Sequence, residues 1–407
     1  MSRLVINGGQ RLSGEISVGG SKNAALPIIF ACIATRGVSE IDNLPDIADV
    51  DVALEILSSF GAVIRREGAR AIIDTRVLTY TTLPVKLTSA LRASTYLLGA
   101  CLARFSKVDL CTYGGCSFGD RPIDMHISAA ESLGAHLSDG VLLTEGLTQG
   151  IIRFNKISVG ATVNALIMCS VCHGESRIYG YAREPHVFSL IDFLRLAGAK
   201  ILVTEEFISV EGGMLGSSYS YIIPDMIEAG TYLAISLATE SDLTVVGANA
   251  AELASFSDFL RLNGATVEEG GGYMRALGGF CRFAELETGP YPLFPTDLQP
   301  QMAPLMAKFF GGSIVERVWR ERFRYLVELS RLGVSYNRFD SGARIFSSVF
   351  SSGNATATDL RGGAALLIAA LSAKGESIID SADIIRRGYA DIASKLALIG
   401  AKVKEIN

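Results

Sequence analysis

The sequence predicts an α/β chain assembled from six similar units, and three observations carry that reading. A short signature recurs in which apolar helical residues are followed by a glycine, a small or apolar residue and a β-rich run. Its glycines are residues 61, 134, 198, 264, 333 and 400, at spacings of 73, 64, 66, 69 and 67 residues. The chain has 407 residues, 49% of them apolar, which is enough for two or three domains with sizeable cores. No Gly-x-Gly-x-x-Gly opens a helix after a strand and no P-loop is present, which argues against a doubly wound nucleotide-binding sheet.

The first copy is Leu57-Ser-Ser-Phe-Gly-Ala-Val-Ile64 and the second Glu131-Ser-Leu-Gly-Ala-His-Leu137. The third and fourth are Leu194-Arg-Leu-Ala-Gly-Ala-Lys-Ile201 and Leu260-Arg-Leu-Asn-Gly-Ala-Thr-Val267. The fifth and sixth are Leu329-Ser-Arg-Leu-Gly-Val-Ser-Tyr336 and Leu396-Ala-Leu-Ile-Gly-Ala-Lys-Val403. In each, a helix with an apolar face ends at a glycine able to adopt φ > 0, and the chain then enters a strand. A unit of this size cannot hide its own apolar face, so the copies are expected to pack together. Two apolar runs, 24–34 and 364–373, read as buried helices. Neither approaches the roughly 18 residues a membrane span needs, although mean hydropathy is high at +0.33.

The net charge of −5 and the lack of a basic tract argue against nucleic-acid binding. The N-terminal Met-Ser-Arg-Leu-Val-Ile-Asn lacks the charged and apolar regions of a secretion signal. Seven scattered cysteines, an odd number, fit a reducing cytoplasm better than a disulfide framework. Cys169-Ser-Val-Cys-His173 matches a haem-attachment pattern, but it lies in an apolar, helix-like stretch and reads as buried structure. No second Cys or His pair has metal-ligand spacing, so neither a metal nor a cofactor is expected.

The most distinctive segment is Tyr113-Gly-Gly-Cys-Ser-Phe-Gly-Asp-Arg-Pro-Ile-Asp-Met-His126. Cys116 stands between glycines, with Arg121, Pro122 and Asp124 close behind. A thiol beside a fixed positive charge ionises more easily and can approach an anionic substrate. Other candidates are spread along the chain. Gly19-Gly-Ser-Lys-Asn-Ala-Ala-Leu-Pro27 offers Lys22 and Asn23 at a helix start that Ser21 can cap. Leu91-Arg-Ala-Ser94 offers Arg92. Ser158, Val159, Gly160 and Thr162 form a second helix start, with backbone N–H groups suited to a phosphate. Pro292-Leu-Phe-Pro-Thr-Asp-Leu-Gln299 offers Asp297, which locally reads as a helix cap. Glu321-Arg-Phe323 offers Arg322, Ala357-Thr-Asp-Leu-Arg361 offers Asp359 and Arg361, and Arg386-Arg-Gly-Tyr389 offers Arg387. Several arginines from different units are what a ligand with both phosphate and carboxylate groups requires.

The cysteine segment closely resembles the catalytic loop of the UDP-N-acetylglucosamine 1-carboxyvinyltransferases, of the enolpyruvyl transferase family. The resemblance extends over essentially the whole chain. It implies a two-domain inside-out α/β barrel with three repeats per domain, helices inside and sheets outside. The domains would be 21–224 and 1–20 with 225–407, with substrates bound between them. It implies transfer of the enolpyruvyl group of phosphoenolpyruvate to UDP-N-acetylglucosamine, the first committed step of peptidoglycan synthesis, in the cytoplasm. By resemblance, Lys22, Arg92, Arg121, Arg322, Arg361 and Arg387 meet phosphoenolpyruvate, and Asn23 meets the sugar. Ser158, Val159, Gly160 and Thr162, with Pro122 and Asp124, serve the substrates as well. Asp297 would take the proton of the 3-hydroxyl, and Asp359 would orient charge nearby. Cys116 would donate a proton or assist release, and would be the target of fosfomycin.

The sequence departs from the family pattern at Met226, Trp319, Arg320, Arg386, Gly362 and Gly363, and between 340 and 354. These changes leave open a paralogue using another UDP-sugar or nucleotide, or a non-catalytic UDP-sugar-binding regulator. The shikimate-pathway sister enzyme lacks the cysteine loop, so Cys116 argues against that reading.

Overall fold

All six signature glycines lie in the left-handed region, with φ of +94, +87, +119, +98, +93 and +94° in chain order. Each follows a helix and precedes a strand. The helices are Ala48–Ser59, Asp124–Glu131, Pro185–Ala197, Ala254–Leu262, Tyr325–Ser330 and Ile392–Leu398. The strands are Val63–Glu67, His136–Ser138, Lys200–Val203, Thr266–Gly270, Tyr336–Phe339 and Lys402–Ile406. This computed structural model of the chain describes residues 2–82, 85–110, 123–277 and 281–406. Within them there are six sheets, five four-stranded and one three-stranded, and each signature strand is the edge strand of a different sheet.

The four-stranded sheets share one pairing scheme: two antiparallel pairs on the side of the signature strand and one parallel pair at the far edge. In one of them, Thr266–Gly270 pairs antiparallel with Tyr273–Leu277, which pairs antiparallel with Asp242–Val246, which pairs parallel with Ser13–Ser17. The sixfold period of the sequence is therefore a period of sheet topology.

Two compact units contain these sheets, one formed by Met1–Gly19 with Pro224–Asn407 and the other by Gly20–Ile223. The N-terminal strand Arg3–Gly8 joins the first of these, pairing with Gly375–Asp380 and Lys402–Ile406. A second kind of helix fills each unit. Met226–Ala238, Gln299–Lys308 and Leu360–Ser372 pack on one another in the first unit and are buried along nearly their whole length. Lys22–Ala31, Leu97–Phe105 and Val159–Cys169 occupy the second. Helices this rich in apolar residues must be largely enclosed, and these are. Each sheet turns one face to its unit's core, as the alternating burial of Tyr273–Leu277 illustrates. No helix of the described residues is long and apolar enough to cross a membrane.

The glycine requirement can be tested in two settings. A Cβ at Gly400 would meet nothing within 4 Å, so Gly400→Ala bears only the left-handed backbone penalty, about 1–2 kcal/mol. At Gly333 the Cβ would also lie 2.6 Å from the Val349 carbonyl oxygen. Gly333→Ala should therefore lose clearly more stability than Gly400→Ala in urea unfolding. Equal losses would show that the close approach is relieved without strain.

Candidate active site

In the unit containing Pro224–Asn407, four segments bring functional groups together. Asp297 lies in the 3-10 turn Thr296–Leu298, which leads into the helix Gln299–Lys308. Leu298, which has no side-chain acceptor, holds the N-cap position of that helix, and the Asp297 oxygens meet two arginines. Arg322 Nη2 donates to Asp297 Oδ1 at 2.8 Å, and Arg361 Nη2 donates to Oδ2 at 3.2 Å. Both guanidinium groups are buried, while Asp297 keeps 27% of its side chain exposed. A partly open carboxylate between two enclosed cations is placed to act on something from solvent.

Asp359 caps the helix Leu360–Ser372, its Oδ1 accepting from the backbone N–H groups of Arg361 at 3.0 Å and Gly362 at 2.8 Å. It thereby fixes the backbone that carries Arg361. Beneath Arg361 lies a buried polar layer. Its guanidinium sits 5.5 Å from the centre of the Tyr389 ring. The Tyr389 hydroxyl is 2.9 Å from that of Thr231, and Gln301 Nε2 donates to both, at 3.4 and 3.2 Å. Burial works against the charge on Arg361, but Tyr389, Asp297 and Asp225 outweigh it and raise its pKa above the usual guanidinium value. Arg361 Nη1 is buried with no hydrogen-bond partner. Such a donor is costly unless a ligand or water oxygen takes it. Arg387 ends the 3-10 helix Ala382–Arg387 in the same unit.

The unit Gly20–Ile223 holds the remaining described candidates. Lys22 opens the helix Lys22–Ala31, with Asn23 next to it. Ser21 occupies the N-cap position but makes no side-chain cap bond, contrary to the expectation from sequence. Lys22 Nζ instead pairs with Asp49 Oδ2 at 3.3 Å, both side chains largely buried. Ser158 does cap its helix, its Oγ accepting from the Ala161 N–H at 3.3 Å. Val159 and Gly160 form the first turn, and the Thr162 hydroxyl donates to the Ser158 carbonyl at 2.8 Å. Asp124 opens its helix on the surface, and Arg92 begins the 3-10 helix Arg92–Tyr96. Cys116, Arg121 and Pro122 lie outside the described residues.

Three groups escaped the sequence reading. Asp49 looks like an ordinary first-turn acid of its helix, and only the fold puts it beside Lys22. Glu316 is a buried carboxylate one residue past the strand Gly312–Val315, with no local mark. His126 is buried against Gly160, where an added Cβ would lie 3.0 Å from its ring. Its Nδ1 meets Asn164 Nδ2 at 2.6 Å, and Asn164 Oδ1 accepts from the Gly99 N–H at 2.7 Å. The five described cysteines are buried, and burial pushes the Cys32 and Cys172 thiols up to about 12. The Cys169–His173 pattern is thus structural: Cys169 ends a buried helix and Cys172 donates to the Met168 carbonyl.

Burial and, secondly, the charge of Arg92 lower His126 from 6.5 to about 4, with Asp124 opposing. The unfolded chain therefore binds the proton first as pH falls. Stability should decline between roughly pH 6.5 and 4, by up to about 3 kcal/mol. His126→Gln should flatten that part of the urea-unfolding pH profile relative to the parent. Identical slopes would mean that His126 titrates normally.

The family model for EPSP synthase (3-phosphoshikimate 1-carboxyvinyltransferase) matches residues 6–396. The chain belongs to this family. Among full-length relatives, the UDP-N-acetylglucosamine 1-carboxyvinyltransferase of Halothermothrix orenii is 36% identical, the match covering 100% of each chain. UDP-N-acetylglucosamine 1-carboxyvinyltransferase 2 of Clostridium acetobutylicum is 37% identical over 99% of each. Among solved structures, the enolpyruvyl transferase NikO of Streptomyces tendae superposes with a TM-score of 0.87 at 25% identity, covering 99% of this chain and 98% of that one. The EPSP synthase of Acinetobacter baumannii gives 0.71 at 16% identity, covering 100% of both, a likeness of fold alone. The α/β fold with many sheets and helices described above is the one shared with these structures.

Proposed function

We propose that this chain transfers the enolpyruvyl group of phosphoenolpyruvate to the 3-hydroxyl of UDP-N-acetylglucosamine and releases phosphate, the first committed step of peptidoglycan synthesis. The observation that carries the reading is the Asp297 carboxylate held by Arg322 and Arg361 in a chain of this family. Full-length identity of about 36–37% to enzymes bearing that name supports the choice of acceptor.

Asp297 accepts the proton of the 3-hydroxyl as its oxygen attacks C2 of phosphoenolpyruvate. C3 gains a proton, giving a tetrahedral phospholactoyl intermediate. Loss of a C3 proton with the phosphate then leaves the enol ether. Arg361, with its buried unpartnered Nη1, and Arg322 offset substrate charge. In this reading Lys22, Arg92, Arg121 and Arg387 also serve phosphoenolpyruvate, Asn23 serves the sugar, Ser158, Val159, Gly160 and Thr162 serve the uridine diphosphate, and Pro122 and Asp124 serve the substrates. Cys116 serves as the proton donor to C3 or assists release, and is the group fosfomycin would alkylate. The two units correspond in this reading to the family's three-repeat, inside-out domains, 21–224 and 1–20 with 225–407. The setting in this reading is the cytoplasm, which the scattered, odd-numbered cysteines fit.

The deciding assay is phosphate release from phosphoenolpyruvate with UDP-N-acetylglucosamine, using the native chain beside Cys116→Ala. Release by the native chain alone, with an enolpyruvyl product, supports both the reaction and the thiol. No release with this acceptor, but release with another nucleotide sugar, would move the acceptor to that sugar. Binding without release from any would favour a regulator.

A further inference from the structure

Glu316 is wholly buried, and the reaction outlined above makes no use of it. A carboxylate in such a place is costly unless every oxygen is satisfied, and four donors satisfy this one. Its Oε1 accepts from the Thr288 hydroxyl at 2.7 Å and from the N–H groups of Val318 at 2.8 Å and Trp319 at 3.0 Å. Its Oε2 accepts from the Thr296 hydroxyl at 2.9 Å. The Thr296 oxygen in turn accepts from Arg322 Nη1 at 3.0 Å, and Arg322 Nη2 reaches Asp297 Oδ1 at 2.8 Å.

The direction of this chain is fixed by valence. Arg322 can only donate, so the single hydroxyl hydrogen of Thr296 must point at Glu316. The sequence carboxylate, hydroxyl, guanidinium, carboxylate therefore has one polarity. It ties the turn carrying Asp297 to the turn carrying Trp319 and Arg322. It also holds the planar Arg322 fork at both ends, which a single contact would leave free to rotate.

We propose that Glu316 is a positioning residue for Asp297, acting through Thr296 and Arg322 to hold the carboxylate in line with the acceptor hydroxyl. This rests on the reaction proposed for Asp297. A misdirected base lowers turnover without weakening substrate binding, so the signature is a loss in kcat with KM preserved.

Thr296→Val, Thr296→Ser, Glu316→Gln and the Thr296→Val/Glu316→Gln double variant of the full chain test it. Thr296→Val removes the hydroxyl and keeps the shape. It should lower kcat by on the order of tenfold to a hundredfold, with KM for both substrates within about twofold. Thr296→Ser should restore turnover, and the double variant should lose no more than the worse single one, since both break one chain. Unchanged turnover in Thr296→Val, a loss expressed only in KM, or failure of serine to restore it would overturn the proposal.

A ligand-free measurement separates this from failure of the reaction itself. Trp319 is the chain's single tryptophan, and its backbone N–H is held by Glu316. Acrylamide quenching of its fluorescence should rise in Thr296→Val and return to the parent level in Thr296→Ser. Quenching that does not change overturns the coupling whether or not the native chain turns over. If the native chain releases no phosphate while quenching responds as expected, the assigned reaction fails and the positioning chain stands.

Discussion

Asp297→Asn should reduce phosphate release by roughly 10²–10⁴ in kcat/KM, the range over which positioned general bases act. The substitution changes almost no volume, so the cause is chemical. An amide cannot accept the acceptor's proton. It must also turn its NH2 toward one of two guanidinium groups, Arg322 at 2.8 Å or Arg361 at 3.2 Å, setting donor against donor. The arginines would then sit, buried, without their anionic partner, and the turn Thr296–Leu298 should loosen. Melting and ligand-induced thermal shifts should accompany the kinetics, so that lost base function is separated from lost fold. A variant that stays folded and works within tenfold of the parent would remove Asp297 from the role of base.

What the sequence reveals here depends on how local the cause is. A left-handed backbone after a helix demands glycine at one position, so Gly61, Gly134, Gly198, Gly264, Gly333 and Gly400 leave a mark any reader can count. The matching edge strands and sheets follow from that mark. Two of the inward helices are also legible, because the apolar runs 24–34 and 364–373 mark the buried helices Lys22–Ala31 and Leu360–Ser372.

The site is less legible because its bonds join distant segments. Asp297, Arg322 and Arg361 stand in three separate motifs, and only the fold makes them one cluster. Local grammar even misleads, since Thr296-Asp297 reads as a cap while Leu298 takes that position. Asp359 is the reverse case. A residue singled out for chemistry is engaged in capping and acts through the backbone of Arg361. Glu316 and Asp49 carry no signal at all, because a buried carboxylate is recognisable only by the donors around it.

Arg361→Lys should be strongly damaging, though less so than loss of the base, even though it preserves charge. Arg361 meets three demands with one planar group. Its Nη2 holds Asp297, its face lies 5.5 Å from the Tyr389 ring centre, and its Nη1 is buried and unpartnered. A lysine ammonium is a compact charge on a flexible stem and can meet only one of these at a time. If it follows Asp297, the bond awaiting a phosphoenolpyruvate oxygen is lost. If it turns to the substrate, Asp297 is held by Arg322 alone. A charge-assisted hydrogen bond contributes about 2–3 kcal/mol, so kcat/KM for phosphoenolpyruvate should fall roughly thirtyfold to somewhat over a hundredfold. Both outcomes can be read in the kinetics: the first raises KM for phosphoenolpyruvate, the second lowers kcat. Parent-like values for both constants would mean that charge alone suffices and that the unpartnered Nη1 has no ligand to meet. A fall in melting temperature with unchanged kinetics would assign Arg361 to the core and leave Arg322 as the cation that serves Asp297.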